Sequence, residues 1–277
     1  MKIVTFAIAL ASVLTVAQAA NAAEVKLWRL DCGSIQVKDL NAFSDTYDYT
    51  GTTRVLTDSC YLIKHDDAYL IWDTGLPAGM LNAPFDDNAP MSPSLKETLP
   101  AQLEKLGVKP DDIGTVGISH YHFDHMGQAA DFPKAKLLMG QGDLAAMKQD
   151  PLPFAVMPDL LAPWLKNGAP VEEVMGDKDV FGDGSVMMLT MPGHTPGSYA
   201  LLVRLEKTGP VLLSGDIVHF EEQFEHNGVP PFNHDRAQSL ASMDRLQHMA
   251  RSLKAILVVQ HDANHINKLP AFPEPAE

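Results

Sequence analysis

Six residues near the middle of the chain concentrate side chains that bind metal ions. Residues 120–125 read His-Tyr-His-Phe-Asp-His, so three imidazoles and one carboxylate fall within six positions. In an extended segment, side chains two positions apart point the same way, and a turn after Asp124 would bring His125 back toward them. Nitrogen and oxygen ligands at this density suit zinc or another borderline divalent ion. A run of surface histidines is the alternative, and the apolar segment 116–118 before the motif argues against it.

Three further candidate ligands follow segments that are typical of strands. His194 lies in the Pro- and Gly-rich turn 192–197, and Asp216 and His261 each follow an apolar run. A single aspartate at the end of a strand is more often a turn residue than a ligand. Together with the first motif, however, the chain offers seven nitrogen and oxygen ligands. They are His120, His122, Asp124, His125, His194, Asp216 and His261.

The segments that must position these ligands alternate between strand and helix patterns. Apolar, β-branched runs predict strands over residues 25–30, 59–63, 68–72, 115–119, 135–139, 185–190, 198–205, 211–214 and 255–259. Leucine or methionine at helical spacing predicts helices over residues 94–106 and 236–253. Strands outnumber helices and the two are interleaved, so the pattern predicts a layered α/β domain.

Composition limits the class of protein. The chain has 277 residues, of which 45% are hydrophobic and 20% charged, which is enough apolar material for a folded core. Its formal net charge of -14 and the absence of a basic stripe argue against a nucleic-acid partner. Two cysteines, Cys32 and Cys60, are too few for a disulfide scaffold or an all-cysteine zinc site. They either form one disulfide or pack as small apolar residues on neighbouring strands.

The N-terminus has the pattern of a secretory signal peptide. Lys2 precedes an apolar run over residues 3–16, and two Ala-x-Ala sites follow. The apolar run is short for a membrane span, which needs about 20 residues. We therefore expect cleavage after Ala22, a mature domain over residues 23–277 that does not span a membrane, and a periplasmic or secreted location.

The order of these motifs resembles that of the metallo-β-lactamase superfamily over nearly all of the expected mature chain. It runs His-x-His-x-Asp-His, then Pro-Gly-His-Thr-Pro-Gly, then Gly-Asp and finally a histidine, each at a strand end. The resemblance implies an αββα four-layer sandwich with a metal site in a cleft at one edge. It also implies a ligand division, with His120, His122 and His194 on one metal, Asp124, His125 and His261 on a second, and Asp216 on both. Asp73, in an Asp-Thr-Gly segment, is implied to be a structural acceptor near this site.

Asp216 also narrows the choice among subfamilies. True β-lactamases of this family lack a bridging carboxylate there, whereas its lactone, thioester and phosphotriester hydrolases have one. Residues 43–46, 60–65 and 70–77 are similar to exported N-acyl homoserine lactonases. That resemblance implies a lactonase with two Zn²⁺ ions that opens the lactone ring by attack of a metal-bridging hydroxide, with Asp124 passing the proton to the leaving group.

One position departs from that group. The best-known lactonases have tyrosine three residues after the bridging aspartate, where this chain has His219. We expect His219 either to act as a catalytic hydrogen-bond donor to the leaving group or to pack at the edge of the cleft.

Other activities remain open at this point. A phosphotriester hydrolase of the methyl-parathion-hydrolase type has a similar exported, two-metal layout. A thioester hydrolase of the glyoxalase II type is disfavoured, because no C-terminal basic cluster is present to bind glutathione. A carrier or receptor that binds metal without catalysis is the alternative from outside the enzymes, and the complete ligand set argues against it.

The substrate pocket is expected from segments outside these motifs. Residues 150–167 form either an apolar lid or a short core helix over residues 158–166. Three phenylalanines after Asp216 are candidates for the same cleft, and His226 and His234 are candidates for substrate contact. The phenylalanines are Phe220, Phe224 and Phe232.

Overall fold

Strands and helices alternate along the part of the chain that the computed structural model describes, residues 23–277. The predicted signal peptide lies outside these residues. The strands are β1 (Val25–Val37), β2 (Arg54–His65), β3 (Ala68–Trp72), β4 (Met91–Ser94), β5 (Ile113–Ile118), β6 (Lys136–Gly140), β7 (Val171–Val174), β8 (Lys178–Asp179), β9 (Val186–Thr190), β10 (Tyr199–Leu205), β11 (Gly209–Leu213) and β12 (Ile256–Val258). The α-helices are α1 (Leu99–Lys105), α2 (Phe123–Met126), α3 (Gln141–Ala146), α4 (Ala162–Leu165), α5 (Gln223–His226) and α6 (Arg236–Leu253).

The strands form two sheets. The first has the order β4-β1-β2-β3-β5-β6-β7, and the second has the order β12-β11-β10-β9-β8. Strands β3, β5, β6 and β7 are parallel to one another, as are β11 and β12. Loops that leave parallel strands at their carboxyl ends meet at one edge of the sheet, which is where open α/β sheets bind ligands.

The two sheets pack face to face over an apolar core. Tyr61 and Trp72 of the first sheet contribute to the same buried cluster as Leu201 and Val203 of the second. Strand β10 shows how the sequence produces this layer, because its side chains alternate. Leu201 and Val203 face the first sheet, while Leu202 faces the other way.

Helices cover the outer face of each sheet. Leu99 and Leu103 of α1 belong to the buried cluster on the outer side of the first sheet. Met243 and Leu246 of α6 pack with Leu202 on the outer side of the second. The order of layers is helix, sheet, sheet and helix, so the predicted αββα sandwich is confirmed. Within residues 23–277, no helix combines the length and apolar character needed to cross a membrane.

Several element bounds differ from the sequence prediction. Helix α6 has the predicted bounds, and the Asp235 side chain caps it by accepting a hydrogen bond from Gln238 N at 2.8 Å. Helix α1 begins only at Leu99, because Ser94 is the last residue of edge strand β4 and residues 95–98 connect that strand to the helix. Strands β1 and β2 extend to 13 and 12 residues, since they pair along their whole length. Strands β4, β7 and β8 were not predicted.

Cys32 on β1 and Cys60 on β2 form a disulfide. Both cysteines are fully buried on the outer side of the first sheet. Of the two alternatives left open by the sequence, the structure has the disulfide.

Residues 150–167 divide between the two predicted roles. Leu161 and Trp164 are buried in the core, and the Trp164 indole donates to Ala135 O at 2.8 Å. Phe154, by contrast, is 60% exposed. The expected helix over residues 158–166 is a 3-10 turn (Pro158–Leu161) followed by α4. The first half of the segment therefore lies at the surface, and the second half is core.

Candidate metal centre

All seven candidate ligands meet in one buried cluster at the edge where the two sheets end. They come from loops that follow four strands: β5 in the first sheet, and β9, β11 and β12 in the second. Each of the seven side chains is buried. The ligand atoms form two groups, and within each group they lie within 4.8 Å of one another. The sequence prediction that these residues converge is therefore met by the geometry.

The first group is a triangle of histidine nitrogens. His122 Nδ1 lies 3.0 Å from both His120 Nε2 and His194 Nε2, and these two Nε2 atoms are 3.1 Å apart. Each of these nitrogens either carries a proton and donates or carries a lone pair and accepts. Among three of them at least two are of the same kind, so the three cannot all hydrogen-bond to one another. Burial holds the pKa of His120 and His122 well below the ordinary value and lowers that of His194 to about 3. Three neutral imidazoles thus direct nitrogen atoms at one point.

The second group combines two histidines and a carboxylate. Asp124 Oδ2 lies 3.9 Å from His125 Nε2 and 3.8 Å from His261 Nε2. Burial lowers the pKa of His261, but the carboxylates of Asp216 and Asp124 outweigh it and raise this pKa to about 9. The pKa of His125 is likewise raised, against burial, by Asp216 and other nearby carboxylates.

Asp216 lies between the two groups. Its Oδ2 is 3.7 Å from His120 Nε2 and 3.5 Å from His194 Nε2. Its Oδ1 is 3.3 Å from His125 Nε2 and 3.1 Å from His261 Nε2. Its Oδ2 also lies 3.2 Å from His261 Nε2. The carboxylate therefore contacts histidines of both groups, as a bridging ligand must.

Two atoms at the second group show that its residues fit a metal ion. His125 Nε2 and Asp216 Oδ1 are buried and have no hydrogen-bond partner. Leaving such groups unpaired in the interior costs about 1 to 3 kcal/mol each, more when they are charged. A divalent cation satisfies both at once, because imidazole nitrogen and carboxylate oxygen are its preferred ligands.

Hydrogen bonds behind the ligands fix which ring nitrogen faces the centre. His261 Nδ1 donates to Thr57 O at 2.7 Å, and a carbonyl can only accept, so Nε2 is left for the cluster. His194 Nδ1 lies 2.9 Å from Asn233 Oδ1, whose own Nδ2 donates to Ser239 Oγ at 2.9 Å. Neither Thr57 nor Asn233 was identified from the sequence.

Asp143 is a further residue at this site that the sequence did not identify. This fully buried carboxylate in α3 accepts hydrogen bonds from Tyr121 N at 2.9 Å, Thr195 Oγ1 at 2.9 Å and Gly197 N at 2.6 Å. Tyr121 and Thr195 neighbour candidate ligands on two different loops. Asp143 therefore ties together the two loops that build the first group, and burial raises its pKa to about 7.

A cavity of about 170 Å³ opens beside the cluster. Candidate ligands and apolar side chains line it together. The lining residues are Ile35, Phe43, Leu56, Met91, Pro93, His122, Phe123, Asp124, Phe154, Ala155, Asp216, His219, Phe232 and His261. Of the three phenylalanines expected here, Phe232 lines the cavity and the other two do not. His226 and His234 are not among the lining residues either.

His219 is part of the cavity wall. Its Nε2 lies 3.3 Å from Asp216 Oδ2, and its Nδ1 is buried without a hydrogen-bond partner. The ring packs edge-on against Phe43, with centroids 4.9 Å apart, and parallel to the ring of His261, with centroids 5.7 Å apart. Burial lowers the pKa of His219.

Known proteins share both the sequence pattern and the fold. An N-acyl homoserine lactonase from Bacillus sp is 30% identical over 224 residues, which is 78% of this chain and 85% of the relative. The N-acyl homoserine lactonase AttM from Azorhizobium caulinodans is 26% identical over 260 residues, or 86% and 94% of the two chains. A solved N-acyl homoserine lactone hydrolase, with N-hexanoyl-L-homoserine bound at its catalytic metal centre, superposes with a TM-score of 0.77. That alignment has 25% identity and covers 92% of this chain and all of the other.

A family profile agrees with the geometry of the site. The profile of the Metallo-beta-lactamase superfamily matches residues 53–261, a range that includes all seven candidate ligands. The match also contains the strands that position them. The chain belongs to the metallo-β-lactamase superfamily.

Proposed function

We propose that this protein is a two-metal lactonase that opens the ring of N-acyl homoserine lactones. The observation that carries the proposal is Asp216, whose carboxylate lies between two ligand groups and contacts histidines of both beside the cavity. The named relatives and the solved hydrolase with its bound ring-opened product support the substrate class.

The proposed ligand assignment follows the two groups. His120, His122 and His194 hold one ion, Asp124, His125 and His261 hold the other, and Asp216 contacts both. We propose zinc for both positions, because nitrogen-rich buried sites of this kind suit it. When bound, such a pair of ions activates water at neutral pH and polarises the carbonyl of an ester.

Two residues of the cavity wall are proposed to act on the leaving group. Ring opening turns the ring oxygen of the lactone into an alkoxide that must receive a proton. Asp124 lines the cavity, and we assign to it the transfer of a proton from water to that oxygen. His219 lies on the same wall and donates a hydrogen bond to the same oxygen. Tyrosine has this role in the lactonases that the chain resembles.

The cavity also favours an uncharged substrate. Among residues 23–277, none of the side chains that line it is lysine or arginine. An acyl chain gains free energy by leaving water for an apolar wall, at roughly 0.8 kcal/mol for each buried CH₂ group. A glutathione thioester, which carries carboxylates, would find no lysine or arginine in the wall to bind them.

Hydrolysis of neutral phosphotriesters is a second candidate. A wall without lysine or arginine suits such a substrate as well, and His219 replaces the tyrosine of the typical lactonases. Two metal ions stabilise the attacking and leaving oxygens of phosphoryl substrates as well.

We also propose that the mature domain, residues 23–277, acts in the periplasm or outside the cell. The proposal rests on the signal-peptide pattern of residues 1–22. The Cys32–Cys60 disulfide supports it, because disulfides persist mainly in oxidising compartments.

The test is ring opening of homoserine lactones with short to long acyl chains by the purified, zinc-loaded mature protein. A phosphotriester and a glutathione thioester are assayed beside them, and Asp216→Asn serves as the inactive control. Efficient, selective lactone opening is the expected result. Faster turnover of the phosphotriester would reject the lactonase proposal and keep the second candidate.

A further inference from the structure

Two distant chain segments form the cavity wall that contains His219. Phe43 belongs to a 3-10 turn (Leu40–Phe43) between β1 and β2, and His219 follows β11. Both residues line the cavity, and their rings are in edge contact. The two segments also pair through their backbones, since Asp45 N donates to Val229 O at 2.9 Å. Val229 N in turn donates to Asp45 Oδ1 at 3.0 Å.

The side chain of Gln223 joins these two segments from inside. Its Oε1 accepts hydrogen bonds from His219 N at 2.7 Å and Phe220 N at 3.2 Å. Its Nε2 donates to Phe43 O at 2.9 Å and Gly228 O at 3.4 Å. The residue is 1% exposed. Its amide orientation is unambiguous, because backbone N–H groups only donate and carbonyls only accept.

The ring of His219 has few polar anchors of its own, although neighbouring rings pack against it. Its Nδ1 has no hydrogen-bond partner, and its Nε2 reaches only the candidate ligand Asp216. The backbone of residues 219–220 and the packing ring of Phe43 therefore determine where the ring lies, and Gln223 holds the backbone of both segments. Replacing the amide of Gln223 removes these hydrogen bonds and releases His219 and Phe43 together.

We propose that Gln223 is a positioning residue for the reaction, and that it acts by holding His219 against Asp216 at the cavity wall. The proposal rests on the function proposed above, because it gives His219 a role in turnover. Residues that orient metal ligands by hydrogen bonds typically change activity about 10- to 100-fold when they are replaced, and we expect an effect of this order at Gln223.

The test is Gln223→Met, combined with His219→Ala in a double-mutant cycle. Gln102→Met is the matched control. Gln102 is 3% exposed, lies on α1, and uses its amide in the same manner. It accepts from Asp31 N at 2.9 Å and donates to Asp31 O at 2.7 Å. Both variants lose buried hydrogen bonds, so their melting temperatures measure the loss of stability that the two substitutions share.

We expect Gln223→Met to lower kcat for lactone opening about tenfold or more while Gln102→Met leaves kcat unchanged. In the His219→Ala background, Gln223→Met should have no further effect on kcat, because the group through which it acts is gone. An equal loss of kcat in both backgrounds would overturn the proposal, as would an unchanged kcat in the single variant.

A second measurement needs no substrate. Nitrogen NMR spectra of the ¹⁵N-histidine-labelled, zinc-loaded protein report each imidazole, and His219→Ala assigns the ring of His219. We expect its signals to shift or broaden in Gln223→Met and to stay in place in Gln102→Met. Unmoved His219 signals in Gln223→Met would overturn the positioning role. This spectrum does not depend on turnover. If the lactonase proposal alone failed, the expected change of the His219 signals in Gln223→Met would still be observed.

Discussion

Asp73 Oδ2 lies 3.0 Å from Nδ1 of His125, whose Nε2 lies 3.3 Å from Asp216 Oδ1. The other oxygen of Asp73 accepts a hydrogen bond from Ser119 N at 2.7 Å. One carboxylate thus connects the end of β5 to a candidate ligand and keeps the His125 proton on the nitrogen that faces away from the cluster. The expected structural role of Asp73 is consistent with this position.

Asp73→Asn should weaken the second metal site. Position 73 has a φ of 57°, which asparagine tolerates. The side-chain oxygen of the new asparagine would still accept the hydrogen bond from Ser119 N. Its NH₂ group would then donate to His125 Nδ1, which moves the histidine proton to Nε2. We expect zinc affinity at that site to fall about 10- to 100-fold, measured by competition with a chromophoric chelator.

Asp66→Asn is the matched control for this variant. Its φ is also positive, at 50°, and it lies in the turn between β2 and β3. Equal zinc affinities in all three proteins would contradict the proposed orientation of His125.

Asp143→Asn should alter how stability depends on pH. Burial raises the pKa of Asp143 to about 7, above its unfolded value, so the folded state binds the proton more tightly. Between about pH 4 and pH 7 this group makes the fold less stable as the pH rises. Asparagine does not titrate there, so the stability advantage of the wild type over the variant should shrink across this range.

Denaturant unfolding of both proteins from pH 4 to pH 8 measures this difference. We also expect Asp143→Asn to lower the free energy of unfolding by about 1 to 3 kcal/mol at low pH, because the NH₂ group of the asparagine would face a backbone N–H. A constant difference between the two proteins over the whole range would contradict the raised pKa of Asp143.

Removal of the Cys32–Cys60 disulfide should lower stability markedly. The two cysteines are 28 positions apart, and closing a loop of that length stabilises a fold by about 3 to 4 kcal/mol in the chain-entropy model. We expect the melting temperature to fall both for Cys32→Ala/Cys60→Ala and for the wild type under reductant. Thiol labelling verifies reduction, and an unchanged melting temperature of the labelled protein would refute the expectation.

Phe154→Ala should weaken substrate binding with little effect on folding. Phe154 lines the cavity but is 60% exposed, so its removal leaves no buried space. We expect a higher KM for lactones with long acyl chains and an unchanged melting temperature. Phe85→Ala is the control, because Phe85 is an exposed phenylalanine outside the cavity lining. Identical KM values for both variants would exclude Phe154 from substrate contact.

Features that depend on neighbouring residues could be predicted from the sequence. The His-x-His-x-Asp-His motif brings four ligand side chains together within six positions. The spacing of Leu240, Met243 and Leu246 predicts α6 correctly, because a helix buries every third or fourth residue. The apolar strands next to the ligands indicate an α/β layer, and the order of motifs indicates the superfamily.

Features that depend on partners far along the chain were decided by the tertiary structure. Strand β4 exists because β1 offers it an edge, and its own four residues carry no strand pattern. Asp143 and Gln223 are single polar residues with no local signal. Each becomes important only because folding buries it against backbone groups that need a partner. Pairing of β1 with β2 brings the two cysteines together in the disulfide, and the fold of the loop after β11 places His219 beside Asp216. Local spacing thus determined the chemistry that the chain can perform, while burial of distant segments against one another decided how its ligands are held.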